Sequence, residues 1–335
     1  MTNLFKLPAT AALMAVAWLA GCGKPADSAT GGGAPMPAAK PAWRLAVIPK
    51  GTTHVFWKSV EAGARQAAQE LGVEVVWKGP VKENDRAQQI AMVEQFVSEG
   101  VSGIVLAPLD DSALRRPVAA AMARGIPVVI FDSALKGEAG KDFVSLVATN
   151  NRQGGVLGGE RLAKLLDGKG RVVLLRYQEG SASTMEREAG FLEALARHPG
   201  ITVTVDNRYA GATAGDAKGA AMEMLDQIRE ADGIFCPNES STFGMLLALR
   251  QINRAGKVKF VGFDTSPQLV DALDKGEIQA LVAQDPARMG YEGVKTLVRR
   301  LKGEAVPPAV DTGVLLVDRE NLDTPPIRKL LGIPH

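Results

Sequence analysis

Asp132 and Asp264 each close an apolar run, Val129-Ile130-Phe131 and Val261-Gly262-Phe263, and Asn238 and Gln284 stand just past two more, 233–236 and 280–283. Carboxylates accept hydrogen bonds and carboxamides both accept and donate them, so this set suits the grip of neighbouring hydroxyl groups. The two aspartates could instead cap the turns that follow them, yet both occur at the same point of a repeated pattern. Arg187 opens a helical stretch. It is either a surface ion-pair partner or a planar fork of donors, and a cleft that holds two aspartates needs a cation. Ser183 and Glu186 have the spacing of a capping box and are assigned to structure. In Thr52-Thr53-His54-Val55-Phe56-Trp57 two large aromatics start a helix, for which Thr52 or Thr53 is the expected N-cap. An aromatic face packs against the C–H face of a ring-shaped polyol, and Trp57 is the expected wall. Phe56 reads equally as a wall or as an inward helix anchor.

Chemistry of other kinds lacks its residues. No G-x-x-x-x-G-K-[ST] loop occurs, and Gly154-Gly155-Val156-Leu157-Gly158-Gly159 lacks the spacing of a dinucleotide fingerprint. The histidines His54, His198 and His335 stand singly, without metal-ligand spacing. No G-x-S-x-G elbow comes with an acid and a base. The sequence therefore predicts no catalytic residue, no metal and no cofactor. With 39 basic and 37 acidic residues the formal net charge is +2, which gives no electrostatic case for binding nucleic acid.

The elements that must position these residues alternate. Short runs rich in Val, Ile and Leu at 45–49, 73–77, 103–107, 128–131 and 143–148 are separated by helical periods at 54–71, 85–99 and 112–124. The alternation restarts with helices at 151–167, 184–197, 214–230 and 241–255 and strands at 171–176, 201–205, 233–236 and 258–263. A helix near Gln268, a strand at 280–283, a helix at 288–301 and an extended segment near 313–317 follow. The fold class is α/β, with two doubly wound parallel-sheet domains. The halves also echo one another. Gly103-Ile104-Val105 leads through Pro108, Asp110 and Ser112 to Phe131-Asp132-Ser133, as Gly233-Ile234-Phe235 leads through Pro237, Glu239 and Ser240 to Phe263-Asp264-Thr265. In such folds ligands bind outside the carboxyl ends of the strands, where the residues above fall.

Ahead of this region lie Lys6, an uncharged apolar run from Leu7 to Ala20, and Leu19-Ala20-Gly21-Cys22. The run is short for a membrane span and resembles a bacterial lipoprotein signal, which implies residues 1–21 as a cleaved leader and Cys22 as the lipidated residue. Residues 22–42, rich in Gly, Pro and Ala, read as a flexible tether. A globule so anchored works on the periplasmic or cell-envelope side of a membrane.

Taken in order, Phe56-Trp57, Phe131-Asp132, Arg187-Glu188-Ala189-Gly190-Phe191, Asn238, Val261-Gly262-Phe263-Asp264 and Gln284-Asp285-Pro286 with Met289-Gly290-Tyr291 resemble the type I periplasmic sugar-binding proteins of ABC importers. This is the ribose-binding-protein group, and the resemblance runs from about residue 43 to 331. It implies a hinge of three crossovers, near Thr149, Gln284 and Gly313, between a lobe of 43–148 with 285–312 and a lobe of 149–284 with 313–331. It also implies a ligand site made of His54, Phe56, Trp57, Asp132, Ser133, Arg187, Asn238, Asp264 and Gln284. The implied protein is a monomer and no enzyme; its partners are a sugar or related polyol, an ABC permease and the permease's ATPase. A sensor that presents the same ligand to a chemoreceptor or sensor kinase is the alternative. Three departures bear on the ligand. His54 replaces an amide, the Asp-Arg pair of ribose binders is Asp132-Ser133, and small residues at 210–213 replace a third aromatic, a gap that Trp77 or Tyr177 could fill.

Overall fold

The first strand, β1 (Arg44–Ile48), buries both its faces: Leu45 and Val47 join the apolar layer on one side of the sheet, Ala46 and Ile48 the layer on the other. A parallel sheet covered by helices on both faces requires this, and it explains apolar runs without polar alternation. The computed structural model describes residues 43–332, so Cys22, the 1–21 leader and the 22–42 tether lie outside the described residues.

From β1 the chain runs through α1 (Val55–Leu71), β2 (Glu74–Trp77), α2 (Arg86–Glu99), β3 (Gly103–Leu106), α3 (Arg115–Ala123), β4 (Val128–Phe131) and β5 (Ser145–Ala148). It continues through α4 (Asn151–Leu165), β6 (Lys169–Arg176), α5 (Ala182–Leu195), β7 (Gly200–Tyr209), α6 (Ala214–Met222), α7 (Leu225–Glu230) and β8 (Gly233–Phe235). The last elements are α8 (Glu239–Gln251), β9 (Lys259–Phe263), α9 (Pro267–Asp274), β10 (Ala280–Gln284), α10 (Pro286–Leu301), β11 (Ala309–Asp311), β12 (Val314–Val317) and α11 (Pro325–Leu330). Two sheets of six strands result, ordered β11-β5-β4-β3-β1-β2 and β12-β10-β9-β8-β6-β7. The orders match position for position. All the strand pairs are parallel except β10 with β12.

The chain passes between the sheets after β5, after β10 and after β11. Each of the first two passages exchanges a helix. Leu162 and Ala163 of α4 pack with Phe191 of α5 against the second sheet, and Met289 and Val294 of α10 pack with Val60 and Ala64 of α1 against the first. Both helix pairs cross at glycines. A Cβ on Gly63 would lie 1.8 Å from the Ala287 carbonyl oxygen and one on Gly290 2.0 Å from that of Val60. In the other unit Gly155 and Gly190 meet the carbonyls of Arg187 and Arg152 at 1.9 and 2.1 Å. Only glycine lets the backbones approach so closely, and the duplicated contact extends the echo seen in the sequence.

The structure corrects several local expectations. The helix expected over 214–230 is two, α6 and α7, broken at Glu223-Met224. Helix α3 starts at Arg115 rather than 112, because the Asp110 carboxylate accepts the N–H groups of Ser112 and Ala113 at 2.9 and 2.8 Å and holds them in a turn. Neither Thr52 nor Thr53 caps α1; the N-cap is His54, whose side chain makes no capping bond.

Candidate functional site

The carboxyl ends of the parallel strands of the two sheets face each other, and side chains following β1, β2 and β4 touch the segment that follows β6. Lys50, just past β1, donates from Nζ to Ser181 and Ser183 Oγ at 3.2 and 3.0 Å. Ser133, past β4, accepts the Ser183 N–H at 3.0 Å, and Tyr177, past β6, donates to Glu83 Oε2 at 3.0 Å. These contacts enclose a cavity of about 20 Å³. It shares Phe56, Glu239, Asp264 and Gln284 with a wider recess of about 760 Å³ toward α9 and α11.

The two strand-end aspartates have the same unusual backbone. Asp132 has φ 61° and Asp264 φ 72°, left-handed values that cost a residue with a side chain about 1–3 kcal/mol and cluster at functional sites. The carboxylates differ in their partners. Asp132 Oδ2 lies 3.2 Å from Lys50 Nζ, with both side chains buried. Asp264 accepts from Gln284 Nε2 at 2.6 Å and from the Glu239 N–H at 2.7 Å. Burial pushes the Asp264 carboxyl up to about 6, although Arg187 and the Gln284 bond pull it down.

His54 and Glu83 form a second buried charge pair, Nδ1 to Oε1 at 2.7 Å. Glu83 Oε1 also accepts the Trp57 indole N–H at 2.7 Å, so with Tyr177 three side chains converge on one carboxylate. Burial alone would lower His54 and raise Glu83. The charge and bond between them outweigh it, taking His54 up to about 9 and Glu83 down to about 2, with Lys50 helping the latter. The two shifts are one interaction seen from either partner.

Arg187 is 2% exposed. Its Nε donates to Asn151 Oδ1 at 2.8 Å, Nη1 to the Pro237 carbonyl at 2.9 Å and Nη2 to Gln284 Oε1 at 2.9 Å, and the guanidinium lies 3.9 Å over the Phe263 ring. These bonds use three of its five N–H groups, all on neutral oxygens. The cation at Asp132 is therefore Lys50, just past β1, and not Arg187, which also answers the loss of the Asp-Arg pair at Asp132-Ser133.

Of the residues named from the sequence, His54, Phe56, Asp132, Arg187, Asn238, Asp264 and Gln284 line the cavity, and Ser133 lies buried behind Ser183. The roles of some change. Trp57, expected as the broad wall, is 2% exposed and packs edge-on to Phe56 and Phe131 in the core, so only its indole edge meets the cavity; half-buried Phe56 is the more open ring. Asn238 is the N-cap of α8, its Oδ1 accepting the Ser241 N–H at 3.2 Å while Nδ2 donates to Ser240 at 3.2 Å, which leaves one amide hydrogen for a ligand. The Ser183–Glu186 capping box does not form. Ser181 holds the N-cap position of α5, Ser183 Oγ is engaged by Lys50, and Glu186 pairs at the surface with Arg152. Of the two aromatics considered for the gap, Tyr177 lines the cavity, whereas Trp77 packs at the first core.

Lys50, Glu83 and Glu239 escaped the sequence reading. Lys50 and Glu239 follow β1 and β8 as Asp132 follows β4, so the strand-end rule could have found them. Glu83 lies deeper in the loop after β2, where only the fold brings it beneath Tyr177.

Two parallel α/β units that face each other across polar strand ends define a bilobal ligand-binding protein. The chain belongs to the periplasmic binding protein family, whose domain model matches residues 45–305. It is 30% identical over 266 residues to the D-ribose/D-allose-binding protein of Pseudomonas aeruginosa, covering 78% of this chain and 83% of that one. It is 29% identical to the ribose import binding protein of Escherichia coli, over 82% of this chain and 90% of that one. Among solved structures, a carbohydrate-transporter solute-binding protein from Agrobacterium radiobacter in complex with D-arabinose superposes with a TM-score of 0.83 at 34% identity, covering 88% of this chain and 100% of that one. The periplasmic component of a sugar transport system from Hahella chejuensis gives 0.79 at 36% identity, over 82% and 100%. The family is one of transporter binding proteins, not enzymes, and the resemblance to type I sugar-binding proteins holds.

Proposed function

We propose that this protein captures a monosaccharide or related polyol between its two lobes and delivers it to an ABC permease. The observation that carries this reading is the internal neutralisation of the cleft. Lys50 faces Asp132 and His54 faces Glu83 at salt-bridge distance, and Asp264 is held by Gln284 and a backbone N–H. Gln284 in turn links the Asp264 carboxylate to the Arg187 guanidinium, and a site whose opposite charges are so balanced within the protein asks for no charge from its ligand. The donors and acceptors beyond these bonds, at Asp132 Oδ1, two N–H groups of Arg187 and one of Asn238, suit hydroxyl groups. Phe56 supplies an apolar face. Relatives that bind ribose, allose and arabinose support the same ligand class.

The site residues act in this reading as fixed hydrogen-bonding partners, so an analogue that leaves one unpaired is rejected. Closure takes place about the three passages between the sheets, and the closed surface is what the permease meets. Lipidation at Cys22 would keep the protein on the periplasmic or cell-envelope side of a membrane, and mass spectrometry of the exported protein tests it by the mass of the acylated N-terminus. The test of function is a thermal-shift screen of pentoses, hexoses and polyols against amino acids, followed by calorimetry. Stabilisation by sugars alone is expected; stabilisation by amino acids alone would overturn the ligand class. Uptake of the bound sugar by the permease reconstituted with this protein tests delivery.

A further inference from the structure

Glu239 is the first residue of α8, in the second lobe, yet its carboxylate oxygens accept their hydrogen bonds from the other lobe. Oε1 accepts the N–H of Val55 at 3.1 Å and Oε2 that of Phe56 at 2.9 Å, the first two amides of α1 in the first lobe. The first amides of a helix have no partner within it and normally take one from the N-cap side chain or from water. In α1 that side chain is not available: His54 makes no capping bond, its Nδ1 being held by Glu83, and the first turn contains no acidic residue. Glu239 is itself fixed, since its N–H donates to Asp264 at 2.7 Å.

We propose that Glu239 caps helix α1 across the cleft and so sets the balance between open and closed lobes independently of any ligand. The carboxylate meets the positive end of the α1 dipole only when the lobes are together, so its capping energy is present in the closed form and lost in the open one. Glu239 is thus a positioning residue for the binding site, because the cap also fixes Phe56, the second residue of α1 and the aromatic wall. The opposite mouth carries a weaker counterpart. The Asp111 N–H donates to the Gly180 carbonyl at 3.0 Å and Arg86 Nη2 to that of Glu179 at 2.8 Å, while the Asp110 carboxylate, at the place of Glu239 in the sequence echo, is used on Arg86 and its own turn. The inference rests on closure of the two lobes and not on the identity of the ligand.

Loss of an N-cap carboxylate shifts a two-state balance about 5- to 10-fold. The test uses the full chain with no sugar added. Small-angle scattering and amide hydrogen exchange are recorded for wild type, Glu239→Gln and Glu239→Ala, with thermal melts to confirm folding. Wild type should give the smaller radius of gyration and slowed exchange at the Val55 and Phe56 amides. Both variants should swell and lose that protection, Glu239→Gln less than Glu239→Ala, while exchange in the middle of α1 stays unchanged. Sugar affinity of Glu239→Gln should then fall by a factor no greater than the shift in the ligand-free balance. Identical scattering and identical exchange at Val55 and Phe56 in all three proteins would overturn the proposal. Failure of every sugar to bind would overturn the functional reading and leave this comparison intact.

Discussion

Replacing Glu83 by glutamine keeps the shape of the buried junction and removes only its charge. The amide oxygen can still accept from His54 and Trp57, and the Tyr177 hydroxyl can turn to accept from the amide nitrogen. His54 then loses the neighbour that held its proton. Burial, the strongest influence on this imidazole and one that lowers it, is left opposed only by the more distant charges of Glu239 and Asp264. His54 should fall from about 9 to below its ordinary 6.5, which at about 1.4 kcal/mol per pH unit is a change of about 3 kcal/mol. Imidazole NMR resolves this, because the chain has only three histidines, His54, His198 and His335, and His54→Gln assigns the signal. The stability profile must agree. A pKa raised from 6.5 to about 9 by folding contributes stability that is complete below 6.5 and lost as pH rises through about 9. On the acid side, Glu83, lowered from 4.5 to about 2, contributes stability present above 4.5 and lost as pH falls through about 2. Glu83→Gln should abolish the loss of stability between 6.5 and about 9 and the Glu83 loss below 4.5, and should instead lose stability as pH falls below 6.5, where the unfolded chain protonates His54 first. A His54 signal that titrates near 6.5 in wild type, or near 9 in the variant, would refute the pairing.

Other outcomes follow from the same geometry. Arg187→Ala and Asp264→Ala should each cost more than about 2 kcal/mol in sugar affinity, since each leaves a buried partner unsatisfied; calorimetry showing unchanged affinity in both would discard the site. Gly155→Ala places a Cβ 1.9 Å from the Arg187 carbonyl oxygen and should destabilise by about 1–3 kcal/mol in denaturant titrations, forcing α4 and α5 apart beneath the arginine. Gly219→Ala, on the exposed side of α6 with nothing within 4 Å, should instead stabilise by about 0.5–1 kcal/mol. Equal effects at the two positions would contradict the packing argument.

The architecture was legible because doubly buried strands write themselves as unbroken apolar runs, and Asp132, Asp264 and Gln284 were legible because each stops such a run. What escaped was pairing across the cleft. Lys50 is an ordinary cation in sequence, and its value comes from Asp132, which the first sheet sets beside it, and from Ser181 and Ser183, which meet it only where the sheets face each other. Trp57 presents less than expected because a helix start places successive residues on different faces: its ring packs against Phe131 and only the indole N–H edge reaches the cavity, where Glu83 takes it. Asn238 shows the converse: capping grammar and ligand grammar use the same side chain, and here the helix took most of it.

The exchange of α4 and α10 between the sheets has a consequence for how the chain is made. When β1 to β5 have left the ribosome, the apolar face formed by Val60, Ala64, Val105 and Phe131 still waits for Met289 and Val294 of α10. The second sheet in turn lacks its edge until β12 is complete. Neither lobe can be completed until the chain is nearly finished, so both are closed late, by contacts distant in sequence.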